Sequence, residues 1–300
     1  MLLMQIISYA LVLHSIVPLR SEPNEGAEQE TQLMFGETCK IIEEERGWCK
    51  VQNDYDGQVG WVDAIMITRL TEDEYKQYTL DNRDAVVIMP MAYCTSEGNV
   101  APLSQGRPPL TQYPYPLSTN RIPLCMGSHL SNYRVLTLPD GKEIGTFNIL
   151  GSRFTIDPQA VAPKPLPMTK ENFMMMVSRF LNVPYLWGGK SCIGLDCSGF
   201  SGVLLNIFGK SLLRNAREQV TQGTEVPSLS EAQFGDLVFF NHESQNPEAT
   251  KITHVGVLIS PDTVVHCSGR VKIEPIDEQG IFSFERGKHY THDLKAIKRY

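Results

Sequence analysis

The sequence predicts a multidomain chain of two small all-β barrels followed by an α+β domain. Three observations carry this. Residues 1–156 are a succession of short β-rich runs broken by Gly, Asn, Asp and Glu. Residues 157–168, with four prolines, read as a stiff, extended linker. From residue 169 onward two helical patterns come first and strands follow, the order expected of helices packed on one antiparallel sheet.

Composition narrows the classes. A chain of 300 residues fits two or three domains, and 42% hydrophobic with 20% charged residues describes an ordinary globular protein. The net charge of -7 offers no basic footprint for nucleic acid. The seven cysteines are an odd number. Cys39 with Cys49 and Cys94 with Cys125 are conceivable bridges, and buried free thiols fit equally well. The chain has no Cys-x-x-Cys pair, which disfavours a structural zinc site. Met1–Val17 is apolar but has neither a basic start nor a small-residue cleavage site. Ser8–Leu19 is read instead as a strand plus turn, and no export signal is expected. No stretch approaches the ~18 apolar residues of a membrane helix.

In the first domain, residues 1–70, strands are expected at Ile6–Val17, Gln32–Phe35, Thr38–Glu44, Cys49–Gln52 and Val59–Ile65. Gly36 and Gly47 are expected in tight turns, with Trp48 and Trp61 filling a barrel too small for much core. The runs Phe-Gly-Glu, Glu-Arg-Gly-Trp-Cys-Lys-Val and Asp-Gly-Gln-Val-Gly-Trp-Val resemble a bacterial SH3-like barrel. Thr71 caps one or two helical turns reaching Tyr78. Residues 71–156 repeat the β pattern as a second, diverged SH3-like barrel. Its Ala101–Leu117 segment has five prolines and two tyrosines, a loop long enough to be functional or mobile.

The third domain, residues 169–300, opens on a helix capped by Thr169. Its buried face is Phe173, Met176, Val177, Phe180 and Leu181, and it ends before Pro184. A Gly-rich loop then runs from Tyr185 to Asp196. Phe200, Val203, Leu204, Ile207 and Phe208 mark a second helix face that stops at Gly209. Asp196 is a good N-cap type, so Cys197 falls on the first turn. Unpaired N–H groups and the positive dipole end favour a thiolate there. Gly199 and Gly202 would let another element approach. A buried cysteine is otherwise commonly core filler.

Strands follow at Gly235–Phe240, His254–Ser260, Thr263–Gly269 and Leu294–Tyr300, the last expected at an edge. His254 and His266 can share one face of a hairpin. A nucleophile, a base and a group orienting the base form the general layout of covalent catalysis. Cys197, His254, His266 and Cys267 could instead hold zinc. Against this, His266 and Cys267 are adjacent on a strand and point to opposite faces. His14, His129, His242, His289 and His292 are assigned to structural or surface roles.

The order Tyr-x-Trp-Gly-Gly, Asp-Cys-Ser-Gly-Phe, Gly-Asp-Leu-Val-Phe-Phe, His-Val-Gly-Val and Val-His-Cys-Ser-Gly resembles the NlpC-type family of papain-like cell-wall cysteine peptidases. With the two barrels in front, the chain is similar to the γ-D-glutamyl-L-diamino acid endopeptidases (dipeptidyl-peptidase VI). The resemblance implies a murein peptide substrate, L-Ala-γ-D-Glu-diamino acid, with a free amine, and no cofactor, nucleic acid or metal. It implies Cys197 as nucleophile, His254 as base and His266 as the orienting residue. The Cys197 N–H and the Tyr185 hydroxyl would meet the oxyanion. Asp196 would take the L-Ala ammonium, Ser198 and Arg214 the D-Glu carboxylate, and Trp187 would wall the pocket. Relatives often have Ser where this chain has Ala216. From the first barrel, Glu28 and Tyr55, or Gln58 in the place of the tyrosine, would read the amine. Two rival functions keep the fold: a silent wall-peptide-binding protein, and a papain-like acyltransferase.

Overall fold

Alternating runs too short for helices build the N-terminal half. The computed structural model describes residues 5–80, 84–96, 121–241, 251–287 and 289–300. The Pro-rich segment Ala101–Leu117 and His242 lie outside them. The chain divides into two compact units, residues 1–166 and 167–300.

In the first unit a seven-stranded antiparallel sheet runs Gln29–Met34, Ile16–Arg20, Val59–Asp63, Trp48–Asn53, Thr38–Glu45, Ser8–Leu11, Thr68–Leu70. The expected single strand 6–17 is thus two strands. Gly36 and Gly47 have φ of 84° and 89°, the left-handed region that makes both turns. The sheet's core is aliphatic, with Val17, Leu19, Leu33, Ile41, Val51 and Val62. Neither tryptophan belongs to that cluster: Trp48 is half-buried, and Trp61, though buried, lies under Lys50 Nζ, 5.4 Å from its centroid. An aliphatic core suffices because the sheet shares its burden with a second cluster. That cluster joins Leu11, Phe35 and Tyr78 to Phe147 and Phe154.

Helix α1 (Glu72–Leu80) contributes Tyr78, whose hydroxyl donates to the Gly36 carbonyl at 2.9 Å. Beyond it lie a five-stranded and a three-stranded antiparallel sheet. Val161–Pro163 pairs with Ala85–Val87 in the latter. Part of the segment expected as linker is therefore built into the first unit, because its backbone finds a strand partner there.

The second unit starts with α2 (Lys170–Phe180), where the Thr169 side chain accepts the Asn172 N–H. Its Phe180 meets Phe200 edge-on at 5.6 Å in α3 (Cys197–Ile207). Helix α3 has more than one apolar face: every residue except Gly202 is buried. A four-residue helix, α4 (Ala216–Gln219), follows.

The strands Leu237–Asn241, His254–Ser260, Thr263–Ser268, Arg270–Asp277, Gly280–Ser283 and His289–Arg299 pair antiparallel in that order, and the last also pairs with the first. The sheet therefore closes on itself. The C-terminal strand expected at an edge is flanked on both sides. Asp236 helps to hold it, accepting from Arg299 Nε at 2.9 Å and NH2 at 2.7 Å. The Gly-Asp-Leu-Val-Phe-Phe run is in this way a structural anchor. All seven cysteines are free thiols. Among the described residues no helix is long and apolar enough to cross a membrane.

Candidate active site

The hairpin Lys190–Ser191 and Gly194–Leu195 delivers Asp196 to the start of α3. The Asp196 carboxylate accepts the Gly199 N–H at 2.6 Å, the bond expected of an N-cap. Gly199 is required: a Cβ there would lie 2.1 Å from the Gly189 carbonyl oxygen. Gly202 is not, since its nearest neighbour would be Gln219 Nε2 at 4.0 Å.

Cys197 stands on the first turn of α3 and is 7% exposed. The backbone N–H groups of Val255 and Ser198 favour its ionised form. Helix α3 packs on the strand that His254 opens. Burial, then the negative charge of Asp196, push the thiol up to about 12, against the lowering by those N–H groups and Arg214. The helix start alone does not make a thiolate here. A proton acceptor has to be at hand.

His254 Nε2 lies 2.8 Å from His266 Nδ1. The hairpin register explains it. Gly256 is opposite His266, so His254 sits on the same face, one diagonal step away. A Cβ on Gly256 would stand 2.6 Å from Val264 Cγ2 and 3.2 Å from the His266 Cβ, so this position opposite His266 has no room for a side chain. His266 Nε2 in turn is 2.9 Å from Glu274 Oε2. Burial lowers the proton affinity of His266, while Glu274 works the other way. Cys267 points elsewhere, donating its thiol to the Leu195 carbonyl at 3.1 Å, so it does not share a donor set with His266.

Asp196, Ser198 and Arg214 form one buried cluster. Arg214 NH1 donates to Asp196 Oδ1 at 3.1 Å and to Ser198 Oγ at 3.0 Å, and NH2 donates to Asp196 Oδ2 at 2.6 Å. Ala216 begins α4, and the neighbouring polar contact on the Ser198 carbonyl comes from Gln219 Nε2 at 3.2 Å. Tyr185 is close enough to feel the charge of Cys197. Burial first, and then the charges of Cys197 and Asp196, raise its hydroxyl above the usual tyrosine range. Trp187 exposes 61% of its surface.

The first-barrel residues belong to the other unit. Glu28 is exposed just before the Gln29–Met34 strand. Tyr55 lies in the turn after Trp48–Asn53, its ring 5.9 Å from that of His129. Gln58 Nε2 donates to Glu30 Oε2 at 3.3 Å.

Two residues of the site escape the sequence reading. Glu274 sits in a strand where Lys272 and Glu274 are buried while Ile273 is exposed. That inverted alternation is the signal for an inward polar pair. His292, assigned to a structural or surface role, is 2% exposed and lies against the face of His254, centroids 4.3 Å apart. The strand closure that places it there is invisible in local pattern.

Residues 182–286 match the NlpC/P60 family, and residues 19–64 match the bacterial dipeptidyl-peptidase SH3 domain. The γ-D-glutamyl-L-lysine dipeptidyl-peptidase of Bacillus subtilis is 28% identical over 247 residues, 79% of this chain and 71% of that protein. Dipeptidyl-peptidase 6 of Lysinibacillus sphaericus is 26% identical, covering 90% of this chain and 92% of its own. The crystal structure of an NlpC/P60 family protein from Bacillus cereus superposes with a TM-score of 0.74 over 98% of this chain and 99% of that one, at 17% identity, a likeness of fold. The family match and these relatives define the class, a cysteine-type hydrolase. More particularly, the chain carries an NlpC/P60 domain together with a bacterial SH3 domain of the dipeptidyl-peptidase kind.

Proposed function

We propose that this protein is a cysteine endopeptidase that hydrolyses the γ-D-Glu–diamino acid bond of murein peptides with a free N-terminal L-Ala, in peptidoglycan turnover or recycling. The observation that carries the reading is the 2.8 Å His254–His266 pair on strands beside the helix start that holds Cys197. The names of the Bacillus subtilis and Lysinibacillus sphaericus relatives support the bond and the dipeptide product. In this reading the second unit is a papain-like domain, and the β sheets after α1 are a second, diverged SH3-like barrel.

The chemistry follows from the raised thiol. His254 takes the Cys197 proton as the sulfur attacks the γ-carbonyl carbon, so the thiolate exists only where it is used. The Cys197 backbone N–H and the Tyr185 hydroxyl face the developing oxyanion. The C–N bond breaks, His254 returns the proton to the leaving amine, and a thioester remains. Water then attacks, giving its proton to His254, and the Cys197 thiol leaves with that proton as L-Ala-D-Glu is released. The Asp196–Arg214 pair offers both signs to a zwitterionic dipeptide. Asp196 Oδ2 takes the ammonium, and Arg214 with Ser198 takes the α-carboxylate.

The test uses L-Ala-γ-D-Glu-diamino acid tripeptide. Wild type should release L-Ala-D-Glu, and Cys197→Ala should lower kcat by about 10⁴-fold or more. Retained turnover in that variant would refute the mechanism. Acetylating the substrate amine should abolish cleavage, and equal cleavage would remove the role of Asp196.

A further inference from the structure

We infer that Glu274 is a positioning residue that sets the tautomers of both active-site histidines, so that the fourth member of the chain from Cys197 through His254 and His266 is a carboxylate. This rests on the proposed Cys197–His254–His266 reading and deepens it.

Hydrogen-bond roles fix the direction. An ionised carboxylate only accepts, so the 2.9 Å contact makes His266 Nε2 the protonated nitrogen. Neutral His266 then has a bare Nδ1, which accepts from His254 Nε2–H across 2.8 Å. That leaves His254 Nδ1 unprotonated, the nitrogen to which the proposed reading assigns the Cys197 proton. The second neutral tautomer of His254 would carry its proton on Nδ1 and could accept none there. One carboxylate thus decides, two rings away, whether the base is a base.

Glu274 is built to stay ionised and fixed. Lys272 Nζ donates to Oε2 at 2.8 Å, and Ser283 Oγ donates to Oε1 at 2.5 Å. Burial alone would raise its affinity for protons, yet the bonds from His266, Lys272 and Ser283 bring it down to about 2. Other charged or titratable groups around this line are Glu285, 3.9 Å from Lys272 Nζ, Arg270, which pairs with Glu285 and feels the charge of Glu274, and His292, whose ring stands 5.7 Å from His266 and 4.3 Å from His254. His254, His266 and Glu274 lie on three successive strands of one face, because Glu274 is one diagonal step from His266 in the register His266–Lys272. Glu274 makes none of the contacts of the Asp196–Arg214 cluster, so its loss should act on the chemical step and not on substrate affinity.

The full chain labelled with ¹⁵N-histidine tests this. Wild type should show His254 and His266 as Nε2–H tautomers at neutral pH, and an Nδ1–H on either ring overturns the inference. Glu274→Ala should mix the tautomers and lower kcat on the tripeptide by about 100-fold with KM changed less than about twofold. Glu274→Gln keeps an acceptor, because donor-only Lys272 forces the amide oxygen toward His266. It should hold both tautomers and recover most of kcat. A Glu274→Ala protein with unchanged tautomers and kcat within about twofold of wild type, or a folded Gln variant with mixed tautomers, overturns it. Should the Ala variant not fold, the wild-type spectrum and the Gln variant decide alone. A wild type that spares the tripeptide yet shows these tautomers would refute the proposed substrate and leave this inference standing.

Discussion

Arg214 grips Asp196 through both carboxylate oxygens, at 3.1 and 2.6 Å, with side chains only 2% and 7% exposed. The same carboxylate caps α3, so one residue joins the helix that bears the thiol to the cation expected to read substrate. Removing one member of a buried, hydrogen-bonded pair leaves the other charge without compensation. Arg214→Ala should therefore destabilise the protein by about 3–5 kcal/mol in urea denaturation and raise KM for the tripeptide. Arg214→Lys should recover little of either, since an ammonium lacks the planar fork.

The two glycines of α3 should respond in opposite ways. Gly199→Ala forces a Cβ against the Gly189 carbonyl, a backbone atom that cannot swing aside, and should cost about 1–3 kcal/mol along with most activity. Gly202→Ala meets nothing closer than 4.0 Å and should stabilise the helix by up to about 1 kcal/mol. Thermal denaturation of the two variants checks the contrast. Equal losses would mean that α3 packs more tightly around Gly202 than the structure shows.

Cys197 should depend on His254 for its reactivity. With the thiol pushed up to about 12, alkylation near neutral pH requires the imidazole to take the proton. His254→Ala should slow iodoacetamide modification of Cys197, followed by peptide mass spectrometry, by about tenfold or more at pH 7. In that variant the rate should keep rising with pH up to pH 10. A variant alkylated as fast as wild type would mean that the thiol ionises without help.

Acid should loosen the site strands in two stages. Burial, opposed in part by Glu274, depresses His266 below its usual 6.5, so the unfolded chain binds this proton more readily. Its contribution to stability is present above about pH 6.5 and declines below it. Glu274, held at about 2 against an ordinary 4.5, contributes fully above pH 4.5 and loses that contribution as pH falls toward 2. Amide protection factors in His254–Ser260 and Arg270–Asp277 should therefore begin to drop below pH 6.5 and drop again below 4.5. Protection unchanged from pH 7 to 2 would contradict both.

Local chemistry was legible wherever neighbours in the chain create the feature. Asp196 caps α3 and Thr169 caps α2 because a cap and its helix lie within three residues of one another. Gly36 and Gly47 announced their turns for the same reason. The helices, most strands, the Cys197 helix start and the His254/His266 pair all follow from spacing that a single element or one hairpin decides.

Features that depend on residues far apart were not legible. Burial, which the whole domain supplies, pushes the Cys197 thiol up although its helix-start position favours a thiolate. The C-terminal strand reads as an edge, yet it closes the sheet and carries His292 to the face of His254. Glu274 looks like an ordinary strand residue until the register places it below His266. The amino-acid order by itself thus determined which groups are present and which local shapes hold them. Tertiary structure alone decided which of them meet and in what dielectric, because pairing across strands and exclusion of water are properties of the closed sheet and of no single segment.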